Sequence, residues 1–225
     1  GGAPIAAGTV WSGTVYVSGD VVIPNAGDLT LEAGAQVLVA PTDQDGDGVG
    51  DYLIDAIGHL TVAGTAIEPV VFTVDDPTPD GDLRVTDWER LRVGAGSTLE
   101  HLLVERALVC VQMNGASTLA DAEVRRCGAG VQVTGAGPTL DRLTIDDVKG
   151  AGLTLGAAAN VTDAYVRFSG GARCNADGQC ARGETCTANR CVDPTQAAGR
   201  APGVVIDSTG SVLAHIDVSD SADDG

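Results

Sequence analysis

The chain has 225 residues, with 13 basic and 31 acidic side chains for a formal charge of −18, and only 3% of it is aromatic. That charge repels phosphate backbones and anionic lipid, which excludes nucleic acid and membrane surfaces as partners. No apolar run is long enough for a membrane span, while 44% hydrophobic content, carried chiefly by Val, Ala and Leu, argues against disorder.

In chain order, the first predicted elements are short strands. Val15-Tyr16-Val17, Val21-Val22-Ile23, Leu29-Thr30-Leu31 and Val37-Leu38-Val39 are β-branched or aliphatic runs, separated by Gly19, Pro24-Asn25, Gly27 and Gly34. The next segment is acidic: Asp43-Gln44-Asp45-Gly46-Asp47-Gly48-Val49-Gly50-Asp51. Alternate aspartates place carboxylates around one point, and Gly48 allows the sharp turn that wraps a cation. Hard oxygen donors favour calcium over zinc or copper. The expected ligands are Asp43, Asp45, Asp47, the Val49 carbonyl and Asp51, with Asp55 replacing the bidentate acid that Ile54 cannot supply. An acidic solvated turn is the alternative. Leu60-Thr61-Val62-Ala63-Gly64-Thr65 and Pro69-Val70-Val71-Phe72-Thr73 continue the strand pattern, and Asp75, Asp76, Asp80 and Asp82 form a second acidic loop, read as solvated.

From residue 96 the chain repeats. Leu99, Leu119, Leu140, Val161 and Leu213 each follow a small-residue turn, and each leads to an aliphatic pair: Leu102 and Val104, Ala122 and Val124, Leu143 and Ile145, Ala164 and Val166, Ile216 and Val218. The step is 20 or 21 residues, except for the last, which holds one repeat plus an insertion of 31. A second strand recurs at Val109 and Val111, Val131 and Val133, and Leu153 and Leu155. Short strands with period-two alternation, two or three per repeat, describe one coil of a parallel β-helix. One coil cannot bury its apolar face alone, so coils must stack. Leu99, Leu119, Leu140 and Val161 are therefore expected in one internal row, and Val104, Val124, Ile145 and Val166 in another. The solenoid is placed at 1–170 and 203–225, the cation loop at 42–55, and a cysteine-rich insertion at 171–202.

Asp20-Val21-Val22-Ile23-Pro24, followed by Leu29-Thr30-Leu31-Glu32-Ala33-Gly34, resembles the opening of secreted right-handed parallel β-helix proteins of the pectin-lyase-like superfamily. Asp87-Trp88-Glu89-Arg90-Leu91 stands where that family often has Trp-x-Gly-Ile, here without the glycine. The resemblance implies an all-β solenoid and leaves function open, because that fold hosts lyases, hydrolases, adhesins and scaffolds. The acidic loop similarly looks like the calcium loops of thrombospondin type 3 repeats.

Cys174, Cys180, Cys186 and Cys191 are spaced too widely for the usual zinc pairs. They read as disulfides, which implies an oxidising compartment. The segment resembles short cysteine inserts of secreted myxobacterial and Dickkopf-like proteins. That resemblance alone implies Cys174–Cys186 and Cys180–Cys191. A binding knob and a stapled loop are both open readings of it. Cys110, between inward Val109 and Val111, is expected to point outward and to lie one coil from Cys127, within disulfide reach; free thiols are the alternative.

No nucleophilic triad spacing stands out. Asp146-Asp147 would point to opposite faces of a strand and not converge on one bond. His59, His101 and His215 are scattered, and threonines 98, 118 and 139 align only as lone turn residues. The expected function is a non-enzymatic, secreted structural or adhesive solenoid that binds Ca2+. Its expected partners are its own copies, joined end to end, or cell-surface and matrix components. The alternative is a solenoid that binds or cleaves polysaccharide. The chain opens on Gly1, so a removed leader or a fragment is expected.

Overall fold

Alternating aliphatic and polar residues, cut by glycine every few positions, make strands too short to bury a face alone. In the computed structural model, which describes residues 4–75, 86–169, 185–187, 190–192 and 203–219, they solve this by stacking in parallel. The first coil is β1 (Thr9–Trp11), β2 (Thr14–Val17) and β3 (Val21–Ile23). The second is β4 (Asp28–Glu32), β5 (Gln36–Val39) and β6 (Ile54–Ala56), and the third is β7 (His59–Ala63), β8 (Val70–Val74) and β9 (Trp88–Val93). Two strands then fuse into one. β10 (Thr98–Glu105) pairs with β7 through Thr98–Glu100 and with β8 through Leu102–Val104.

The later coils keep that two-strand form. They are β10 with β11 (Ala107–Met113), β12 (Thr118–Arg125) with β13 (Ala129–Val133), and β14 (Thr139–Val148) with β15 (Leu153–Leu155). β16 (Asn160–Ser169) leads past a small antiparallel hairpin, β17 (Thr185–Thr187) and β18 (Arg190–Val192), to β19 (Val204–Ile206) and β20 (Val212–Ser219). Among the described residues the result is an all-β solenoid of two parallel sheets, one 11-stranded and one 7-stranded, between which the chain alternates. Among the described residues, no helix is long and apolar enough to cross a membrane.

The register makes continuous internal rows. Trp11, Leu31, Val62, Leu99, Leu119, Leu140, Val161 and Leu213 stack in one. Val15, Val37, Phe72, Val104, Val124, Ile145, Val166 and Val218 stack in a second. Residues in the middle of both rows are at most 1% exposed. The last members, Leu213 and Val218, are 38% and 39% exposed, since no described strand lies beyond β20.

Cys110 corrects a sequence expectation. It does not point outward but is fully buried in the core. The pairing of β11 with β9 shifts register between Val109 and Val111, so Cys110 is the extra residue of a bulge. A bulged residue leaves the in-out alternation, and here it turns in to bond Cys127, with Cα atoms 5.8 Å apart. This disulfide points to an oxidising, extracellular-type environment.

Three long connections, β5 to β6, β8 to β9 and β16 to β19, each run from a strand of the 11-stranded sheet to one of the 7-stranded sheet. The acidic loop is the first of them.

Candidate functional site

The loop from Thr42 to Asp51 is shaped by its own side chains. Both Asp43 oxygens accept backbone hydrogens, from Gly46 N at 2.6 Å and from Gly48 N at 2.9 Å. Asp45 Oδ1 accepts from Asp47 N at 3.1 Å, and Asp47 Oδ1 accepts from Val49 N at 2.8 Å. Aspartate favours such local turns because its short side chain reaches the backbone two residues on. Gly46 and Gly48 take φ of 76° and 86°, the left-handed region that glycine enters without a Cβ clash. The neck is closed by Asp51 N donating to Thr42 O at 2.8 Å. It is anchored to the next coil by Gly50 N to Thr86 O at 2.8 Å and by Thr86 Oγ1 to Gly48 O at 2.9 Å. A Cβ on Gly50 would lie 1.9 Å from Asp87 O, so only glycine allows this approach.

The arrangement brings together three of the expected ligands. Oxygens of Asp43, Asp45 and Asp47, all exposed, lie within 4.8 Å of one another. Three clustered carboxylates repel one another in water and suit a divalent cation with hard oxygen preference. Asp51 plays a different part: its Oδ2 accepts from Gln44 N and so buttresses the loop. Val49 is half-buried, and its N–H is given to Asp47.

Asp55 stands apart from the three. It lies in β6, on the 7-stranded sheet, in register with Val22 and Arg92. Both of its oxygens accept from Arg92, and it is only 6% exposed. This hydrogen bond raises the Arg92 pKa. The linear motif extended the loop through residue 55, but Ile54–Ala56 already belongs to the stack.

Of the remaining expected positions, Asp76, Asp80, Asp82, Cys174 and Cys180 lie outside the described residues. The backbones of Cys186 and Cys191 face each other across the β17–β18 hairpin. Asp146 pairs with Arg167 at 3.0 Å, while Asp147 occupies a bend at φ 56°. Thr98, Thr118 and Thr139 are strand residues, not turn residues, and their row extends back to Thr61 and Thr30.

Sequence reasoning missed a ladder of ionisable residues. His101, Asp121, Arg142, Asp163 and His215 stack at the bend inside five successive long strands, all at φ of 50–54°. Arg142 forks onto Asp121, with both contacts at 2.7 Å, and His215 Nδ1 lies 2.9 Å from Asp163 Oδ1. His101 Nε2 is 3.9 Å from Asp121. The Arg142 hydrogen bond holds the Asp121 carboxyl below the usual carboxylate range. The signal was present: each member sits two residues past a leading aliphatic of the repeat, and each is ionisable.

Comparison with protein-family models, with curated proteins and with solved structures finds no match.

Proposed function

We propose that this protein is a non-enzymatic, secreted structural or adhesive β-solenoid, tied by calcium and disulfides and associating end to end with its own copies. The observation that carries this reading is where the outward charges go. They are used between coils: Glu105 with Arg125 at 2.9 Å, Asp121 with Arg142, Asp146 with Arg167, and Asp55 with Arg92. Each pair bridges neighbouring strands of the stack, as a scaffold requires, and a surface committed to itself has fewer groups for chemistry on a substrate.

Calcium at Asp43, Asp45 and Asp47 would cancel local repulsion and fix the loop against the following coil. The coarser chemistry of the site, three exposed carboxylates at one point, suits any hard divalent cation; calcium is the reading that the resemblance to thrombospondin type 3 loops adds. Self-association is part of this reading, with the exposed Leu213 and Val218 of β20 as the apolar surface that a second copy would cover. The pectin-lyase-like resemblance adds secretion.

The pectin-lyase-like resemblance carries a second reading, a solenoid that binds or cleaves polysaccharide. The experiment that separates a scaffold from an enzyme is prolonged incubation with acidic and neutral polysaccharides, with and without calcium, followed by assay of reducing ends and unsaturated uronates. The scaffold reading expects no release under either condition. Calcium-dependent release would overturn it.

A further inference from the structure

Asn114 stands in the turn between β11 and β12, exposed and followed by Gly115. Its own N–H donates to Val93 O at 2.8 Å. Thr134 Oγ1, one coil on, donates to Asn114 Oδ1 and lies 3.3 Å from Met113 O. The Gly115 N–H is not a donor in the turn and loop backbone hydrogen bonds of the described residues.

We propose that Asn114 is a spontaneous deamidation site. The Gly115 nitrogen, carrying no Cβ on its Cα to block approach, attacks Asn114 Cγ. The new bond from that nitrogen to Cγ closes a five-membered imide as the bond from Cγ to Nδ2 breaks, and ammonia leaves with the proton from Gly115 N. Water then opens the imide at one of its two carbonyls, giving aspartate or isoaspartate. A hydroxyl donating to Oδ1 stabilises the oxyanion formed during attack, as donors do at acyl centres generally. Thr134 is a positioning residue in this step.

The neighbouring coil selects between the products. Isoaspartate adds a methylene to the backbone, yet a single Cβ on Gly135 would already lie 2.0 Å from Asn114 O. The folded stack therefore favours aspartate. Asn25 and Asn160 are also exposed, but Ala26 and Val161 follow them, so their side chains are internal controls.

The test is incubation of the intact protein at about pH 8 and 37 °C for days, followed by peptide mass mapping with separation of isoaspartate. The expected result is a gain of about 1 Da confined to the peptide holding Asn114. Aspartate should exceed isoaspartate in the folded protein, with the ratio reversed when the incubation is run in denaturant. Thr134→Val should slow the gain several-fold without lowering the melting temperature, and Asn114→Gln should abolish it. Unchanged Asn114, or equal gains at Asn25 and Asn160, would overturn the proposal. An unchanged rate in Thr134→Val would overturn the role given to Thr134.

Discussion

Left-handed backbone costs an L-residue roughly 1–2 kcal/mol, yet five stacked positions adopt it with His, Asp or Arg side chains. The ladder offsets part of that cost by placing opposite charges one strand apart. Asp121 and Arg142 show how this depends on pH. The Asp121 pKa is depressed by Arg142, so its contribution is present above the ordinary aspartate value of about 3.9 and is lost as pH falls through the lower folded value. Arg142→Gln should therefore lower the melting temperature near neutral pH, and the gap should narrow in strong acid. A gap of constant size from neutral to strongly acidic pH would contradict the ion pair as its source. A second residue-scale test uses the row itself. Leu140 is fully buried while Leu213 is 38% exposed. Leu140→Ala should cost about 2–5 kcal/mol by chemical denaturation, and Leu213→Ala under about 1 kcal/mol. Equal losses would mean that Leu213 is covered in solution.

Among the elements, the Cys110–Cys127 bond joins the bulge of β11 to the turn between β12 and β13, across a separation of 17 residues. Closing a loop of that length stabilises by about 3 kcal/mol in the chain-entropy picture. The Cys110→Ala/Cys127→Ala double variant should lose about that much, and reductant should then have no further effect on this coil. The acidic loop gives the cation test. With a dissociation constant on the order of 10⁻⁴–10⁻³ M, 10 mM calcium should raise the melting temperature by roughly 3–10 °C. Asp45→Asn should remove most of that rise, and no heat or shift on titration would refute calcium at this loop.

The strands were legible because stacking imposes a period. Leu99, Leu119, Leu140 and Val161 recur because each fills the same place in the core, and Val109 with Val111 marks the partner sheet in the same way. What the period hides is a residue that breaks it. Alternation alone points Cys110 outward, and only the shifted register with β9 shows the bulge that brings it in. Counting along the linear motif carries Asp55 into the cation loop. Its partner, Arg92, is 37 residues away and adjacent only through the stack. The Asp43–Asp47 group was legible because its contacts are local.

For the whole molecule, charge is unevenly spread. Residues 1–97 hold fifteen acids and three bases, whereas 98–169 hold eight acids and six bases. The later coils are close to neutral and cross-linked by ion pairs, while the earlier coils carry the acidic loop. Among the described residues, Leu213 and Val218 of β20 are the members of the two rows left exposed, at 38% and 39%. A calcium-tied scaffold that joins end to end is tested most directly by negative-stain imaging with light scattering over a concentration series, with calcium and with a chelator. The expected result is rods or filaments that lengthen with protein concentration in calcium and shorten on chelation. A monodisperse monomer at high concentration in calcium would contradict it.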